Sequence, residues 1–395
     1  MLTSLAIIFL MGLLFGVLFE RLRLPPLLGM IVTGILVGPH ALNLLDQSIL
    51  NISAELRQLA LVIILTRAGL SLDMTDLKRV GRPAILMCFL PACFEIIGVL
   101  LIAPNLLGLT LLQAAIMGSV IAAVSPAVIV PRMLVIMEGG YGKKHSIPQL
   151  ILAGASVDDV FVIVMFTAFV SLATGGQVSA ASFAEIPLSI VLGILTGVVC
   201  GVLLALFFKR FHMRASIKVL ILLSISFLLL EGQNRLQGVV PVSGLLAIMS
   251  TGIALYQRCP EFAEKLASKY NKLWLAAQLL LFVLVGATVD LKYVHAQGIA
   301  AAVIVLGALL FRMAGVWVCL IKTALSPREK LFCLLAYTPK ATVQAAIGAI
   351  PLSMGIAGGQ QVLTVAVLSI LITAPFGAMA VDRLYKKLLR QDGDT

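Results

Sequence analysis

The chain has 395 residues, of which 61% are hydrophobic and only 12% charged, with a formal charge of +11 from 29 Lys and Arg against 18 Asp and Glu. Mean hydropathy is +1.09, and apolar runs of about 20 residues, the length that crosses a bilayer, recur from end to end. Together these exclude a soluble globular protein, so the basic excess concerns membrane topology and not nucleic acid.

In chain order the apolar runs predict about 13 spans: 3–20, 26–42, 55–72, 83–104, 110–137, 147–174, 183–208, 215–231, 238–257, 268–290, 298–322, 329–352 and 361–382. The first lacks a basic leader and a small-residue cleavage site, and Arg21 and Arg23 follow its apolar run, so it reads as a helix rather than a signal peptide. Basic residues alternate by loop. Those at or beside the loops after odd-numbered spans, with the C-terminal tail, number 23 of the 29. The other loops hold only Arg57, Arg235 and Lys292, and Arg67, Arg312 and Lys340 fall inside spans. The positive-inside rule then puts the N-terminus outside and the C-terminus in the cytoplasm. The absence of long tails or sorting segments points to a bacterial inner membrane. The six cysteines and four histidines have no metal-ligand spacing, and no nucleophile–base pair suggests an enzyme or a cofactor.

Short matches repeat at nearly constant distance. "AGLSLD" ends at Asp73 and "VGATVD" at Asp290; "TGI" begins at Thr33 and at Thr251; "AVSPA" and "AYTPK" place Ser125 against Thr338; and Glu95 and Arg312 are also paired. These matches relate spans 2–5 to spans 9–12. An offset of seven spans, an odd number, inverts the second copy in the membrane. Repeat one covers about 22–175, repeat two about 236–383, with linking helices at about 183–231. Inverted repeats are a signature of alternating-access transporters, whose site lies where the copies meet.

Two spans carry matched proline breaks, Ser125-Pro126 and Thr338-Pro339, the second followed by Lys340, Thr342 and Gln344. Proline inside a helix costs about 3 kcal/mol, so a matched pair predicts two unwound segments whose free carbonyls line a cavity. The next span after the first break carries Asp158 and Asp159 in an otherwise apolar run. Adjacent helical residues point about 100° apart, so the two carboxylates do not readily share a partner. Carboxylate, hydroxyl and carbonyl oxygens favour a hard cation, and a carboxylate that holds either a proton or a metal ion has the chemistry of exchange. The alternative is that the aspartates make structural salt bridges to Arg312 and Lys340. Arg312 does not release a proton and pairs most simply with Glu95. Lys340 offsets the carbonyl end at the second break, or tunes an aspartate. Arg67 has no assignment, and Asp73 and Asp290 read as span-end residues.

These segments resemble a family. "LRLPPLLGMIVTGILVGP" is similar to the second-span motif of monovalent cation/proton antiporters. "VSPAVIVP" with "GASVDD", "FVLVGATVDL" and "YTPKATVQAAIG" resemble the NHA-type branch of sodium/proton exchangers. The resemblance implies an all-α dimer of inverted repeats with two broken crossing helices. A core of spans 83–174 and 298–382 would move like an elevator against a dimerisation scaffold. It implies Asp159 as principal ligand for Na+ or Li+, with Asp158 and Ser125 beside it, Glu95 and Arg312 as a core ion pair, and Lys340 at the second break. Relatives often carry Thr-Asp-Pro where this chain has Val124-Ser125-Pro126, and electrogenic relatives carry lysine in place of Arg312. The expectation is therefore one-for-one Na+/H+ exchange serving pH homeostasis. Electrogenic Na+/H+ or K+/H+ exchange is the nearest alternative. A sodium-coupled organic anion symporter, or a sensor or channel, stands further off.

Overall fold

The computed structural model describes residues 1–71, 81–174, 180–211, 213–236, 240 and 242–391; Asp73 lies outside them. Every named element is helical: α1 (Leu2–Arg21), α2 (Pro26–Val37), α3 (Gln47–Asn51), α4 (Ser53–Ser71), α5 (Arg82–Met87), α6 (Leu90–Leu107), α7 (Leu111–Ile121), α8 (Pro126–Glu138), α9 (Ile147–Thr174), α10 (Ala180–Arg210), α11 (Ala215–Leu236), α12 (Gly244–Arg258), α13 (Pro260–Ala287), α14 (Leu291–Cys319), α15 (Pro327–Ala336), α16 (Thr342–Ile347), α17 (Ile350–Ser353) and α18 (Gly359–Leu388). Among the described residues, nine helical stretches are long and apolar enough to cross a membrane. The other four predicted spans fall on helices that are shorter (α2, α12), more polar (α4) or broken (α15–α17), so helix length and composition do not establish a count of 13.

The chain folds into two compact units. The first comprises Met1–Ala54, Thr75–Phe169 and Leu281–Thr395; the second comprises Glu55–Met74 and Val170–Leu280. In a bilayer, lipid tails are as apolar as leucine, so helices associate through close backbone approach and polar contacts. Both units are built in this way. In the first, Thr33 Oγ1 donates to its own helix at Gly29 O (2.8 Å) and to Met11 O of α1 (3.3 Å). Gly34 lies so near α13 that a Cβ there would sit 2.0 Å from Val283 O, and one on Gly286 would sit 2.2 Å from Ile31 O. In the second, Thr251 Oγ1 donates to Ala247 O (2.7 Å), while Gly252 and Gly69 bring α12 and α4 into backbone contact. The two "TGI" segments thus do the same local work, each against a glycine near the end of a different helix. Along α10, Gly193, Gly197 and Gly201 rest on Ser243 O, Ala247 O and Thr251 O of α12.

The crossing of α6 and α14 in the first unit is reciprocal. A Cβ on Gly98 would meet the Phe311 ring at 2.8 Å; one on Gly315 would lie 3.1 Å from Phe94 Cβ and 2.8 Å from Pro91 Cα. Phe94 and Phe311, Gly98 and Gly315, and Glu95 and Arg312 are each separated by 217 residues. Each helix therefore offers a phenylalanine to the other's glycine, and the residue after each phenylalanine is charged. The α5–α6 region differs from the single predicted span: Cys88 and Phe89 interrupt the helix just before Pro91, which sits in the first turn of α6, where its missing N–H costs nothing.

Glycine packing gives a direct test. Gly34→Ala and Gly315→Ala force a methyl group into helix backbone and should each lower stability by about 1–3 kcal/mol. Gly232→Ala in α11 meets open space and should leave the melting temperature unchanged or slightly higher. Thermal unfolding of the three variants in detergent reads the difference.

Candidate functional site

Both proline-bearing spans are broken where expected. After α7 the chain leaves the helix at Ala122–Ser125, and Pro126 opens α8 from an extended Ser125 (φ −90°, ψ 111°). After α15 it leaves at Tyr337–Ala341 before α16 begins at Thr342. Proline disfavours helical backbone at the residue before it, which accounts for Ser125 and Thr338 lying outside helices. The two breaks meet: Ser125 N donates to Pro339 O at 2.8 Å, and the hydroxyls of Ser125 and Thr342 are 3.4 Å apart. Gly377 of α18 makes room, since a Cβ there would lie 2.4 Å from Pro339 Cγ.

A helix that stops inside a protein leaves carbonyls that need donors. Here cationic and amide side chains supply them. Ile121 O accepts from Lys340 Nζ and from Gln344 Nε2 (3.4 Å), Ala122 O from Arg312 Nη1, and Ala123 O from Gln344 Nε2 (2.9 Å). At the second break Arg312 Nε donates to Tyr337 O (2.8 Å), and Lys340 N donates to Thr373 Oγ1 (3.0 Å). Positive charge at a helix C-terminus also complements its dipole.

The same cations hold the acids. Glu95, Asp158, Arg312 and Lys340 are all buried. Arg312 Nη1 lies 3.1 Å from Glu95 Oε2 and Nη2 lies 2.7 Å from Asp158 Oδ2. Lys340 Nζ lies 2.7 and 2.8 Å from the two oxygens of Glu95. Asp158 Oδ2 accepts in addition from Val124 N at 2.9 Å. The expected Glu95–Arg312 pair is therefore present, but it is part of a four-residue network of zero formal charge. Lys340 compensates the carbonyl end of the first broken helix rather than of its own, and pairs with Glu95 rather than with an aspartate. Tyr337 packs under Arg312, with the guanidinium carbon 5.4 Å from the ring centre. Gly154, at the start of "GASVDD", lies where a Cβ would be 2.0 Å from the tyrosine hydroxyl.

Asp159 is partly exposed, unlike Asp158, and its Oδ1 is buried with no hydrogen-bond partner, as is Asp158 Oδ1. The adjacent aspartates thus differ in kind: both have an oxygen to spare, but only Asp158 is ion-paired to Arg312 and bonded to a backbone amide. Asp290 caps α14 by accepting from Lys292 N (2.9 Å), in keeping with a span-end role. Arg67 is partly buried and belongs to the second unit. Gln344, Tyr337 and Thr373 join the breaks without having been assigned a role from sequence. A glutamine just after a break in an apolar run was a signal for the first; nothing marked Thr373. Among the described residues no group of three or more His, Cys, Asp or Glu forms a metal centre.

The family model described as "Sodium/hydrogen exchanger, transmembrane" matches residues 5–387. Sodium/hydrogen exchanger 9B2 of Mus musculus is 31% identical over 394 residues, covering 96% of this chain and 72% of that protein. Sodium/hydrogen exchanger 9B1 of Macaca fascicularis is 32% identical over 410 residues, covering 99% and 79%. The structure of the sodium proton antiporter MjNhaP1 from Methanocaldococcus jannaschii at pH 8 superposes with a TM-score of 0.85 at 20% identity, covering 97% of each chain. The last comparison concerns the fold.

Breaking a buried pair from one side leaves an uncompensated charge, at about 3–5 kcal/mol. Arg312→Ala strands Asp158 and removes the donors to two carbonyls, whereas Glu95 keeps Lys340. Glu95→Ala strands Lys340, which keeps a carbonyl acceptor, while Arg312 keeps Asp158. Both variants should melt well below the parent, Arg312→Ala the lower of the two, by thermal unfolding followed through intrinsic fluorescence.

Proposed function

This chain belongs to the sodium/hydrogen exchanger family, and we propose that it is a secondary active antiporter exchanging Na+ or Li+ for H+, one for one, by elevator-type alternating access. The observation that carries the reading is the difference between the two aspartates. Asp158 is neutralised by Arg312, while Asp159 Oδ1 is buried without a partner. A single uncommitted carboxylate takes one positive charge at a time.

In this reading Asp159 holds either the cation or the proton, and the second load enters only when the first has left. A bare carboxylate is costly to carry through an apolar barrier, so the empty, charged carrier does not cross and the two fluxes stay coupled. Ser125, with the backbone of the first break, and Asp158 through its free Oδ1 complete the oxygen shell around the cation. Glu95, Arg312 and Lys340 hold the two breaks together, and Arg312 takes no part in proton exchange, since arginine does not give up its proton. The work is electrostatic and steric, as in transporters with discontinuous helices near the midplane.

The architecture proposed from sequence fits this role. The reciprocal contacts of Phe94 with Gly315 and Phe311 with Gly98, and the paired "TGI" contacts, support inverted repeats at about 22–175 and 236–383. Spans 83–174 and 298–382 would be the moving core and the remaining spans the scaffold of a homodimer. The basic-loop pattern supports an inner (plasma) membrane orientation with the N-terminus outside, and the exchange would serve pH homeostasis. Electrogenic exchange is the second reading, favoured only by the unpartnered Oδ1 of Asp158, which offers a place for a second proton.

Asp159→Asn should abolish cation-driven proton movement in proteoliposomes while leaving the melting temperature within a few degrees of the parent, because no ion pair is broken; full activity in this variant would sink the assignment. In the parent, the initial rate with Na+ or Li+ should not respond to an imposed potential. A rate that follows the potential would establish the two-proton reading.

A further inference from the structure

The unwound segment of the first broken helix contains one peptide group held from both sides. The peptide joining Ala123 to Val124 presents its oxygen to Gln344 Nε2 (2.9 Å) and its N–H to Asp158 Oδ2 (2.9 Å). Because C=O and N–H of a trans peptide point in opposite directions in one plane, Gln344 and Asp158 brace the same rigid unit against rotation. Gln344 comes from α16, directly after the second break, and Asp158 from α9. Three separate elements of the first unit therefore converge on one peptide.

Gln344 is 1% exposed. Its Nε2 is used twice, on Ala123 O and Ile121 O, but its Oε1 is buried with no donor. A buried amide oxygen without a donor is costly, and a side chain whose nitrogen is already fixed cannot turn to relieve it. Arg312 and Lys340, the nearby cationic donors to the break, are spent on Glu95, Asp158 and backbone carbonyls. A hard cation relieves such an oxygen, since amide oxygens are ordinary ligands for one and add no charge of their own to the site.

We propose that Gln344 is a specificity-determining residue for the transported cation, its Nε2 fixing the Ala123–Val124 peptide and its Oε1 serving as a neutral oxygen ligand. The proposal rests on the antiporter reading above. A neutral ligand changes how well Na+, Li+ or K+ fits without changing the charge of the load, so it acts on selectivity and leaves stoichiometry alone.

The test is cation-dependent proton movement in proteoliposomes across a range of Na+ and Li+ concentrations, for the parent, Gln344→Met and Gln344→Glu, with melting temperatures measured in parallel. Met keeps the length and removes both polar ends; Glu keeps an oxygen at the end of the same stem and removes the donor. For Gln344→Met the KM for Na+ and Li+ should rise about tenfold and unequally, so that the Li+ to Na+ ratio changes, with kcat within about twofold of the parent on the same scale. Gln344→Glu should keep KM closer to the parent. An unchanged KM and Li+ to Na+ ratio in Gln344→Met overturns the proposal. So does a Gln344→Glu variant at least as impaired in KM as Gln344→Met, since the nitrogen alone would then matter. If Gln344→Met does not fold, the Glu variant decides: a Li+ to Na+ ratio equal to that of the parent overturns the proposal, and an altered ratio supports it. A parent that moves no protons with any cation would instead defeat the antiporter reading itself.

Discussion

The arrangement depends on one guanidinium group. Arg312 spends its donors on two carboxylates and two backbone carbonyls that come from α6, α9 and both broken segments. No smaller or less branched cation reaches four acceptors in a plane. Once the two helices stop in the middle of an apolar bundle, their open ends need donors, and those donors bring charges that need acids. Glu95 and Asp158 meet that need, and Lys340 shares Glu95. Each buried charge is acceptable because the others are present. The breaks create the demand, and the charge network is the response to it.

That logic separates two kinds of polar residue in the same few turns. Asp158 belongs to the framework, and its neighbour one residue on does not, although both are aspartate. Their fates diverge because adjacent side chains leave a helix in different directions: one toward Arg312 and the Val124 amide, the other to a partly exposed position. The framework also keeps the unwound backbone in one shape. Without Ser125 N on Pro339 O and Gln344 on Ala123 O, two nonhelical segments in an apolar environment would have few ways to satisfy their peptides.

Much of this was legible in the residues. Pro126 and Pro339 announced the breaks as a matched Ser/Thr-Pro pair, and the chain does leave its helices beside both, whereas Pro131 and Pro375 sit inside α8 and α18. Glu95 and Arg312 stood out as charges inside spans at equivalent positions, and they touch. The limits lie where sequence distance carries no direction. Nothing along the chain says that Lys340 reaches across to Ile121 O, or that Arg312 takes Asp158 as well as Glu95; those partners depend on how helices cross. Helix ends were blurred for a related reason. The run predicted to start at 268 belongs to a helix that begins at Pro260, because Glu261, Lys265 and Lys269 lower the hydropathy of its first turns without breaking its backbone. Conversely, the interruption at Cys88–Phe89 lies in a run that stays apolar throughout and so left no mark on hydropathy.

The reciprocal crossing of α6 and α14 also bears on how such a chain arose. On a true twofold axis between identical subunits, a residue at the self-contacting position faces its own copy. Phenylalanine against glycine satisfies that condition, because each copy supplies both. A glutamate does not: it would face another glutamate, and an arginine another arginine. The opposition of Glu95 and Arg312 is open only to two segments that are free to differ in sequence. If the two halves descend from one ancestral segment, the hydrophobic interlock is compatible with the time when they were separate chains, and the ion pair is younger than their fusion into one.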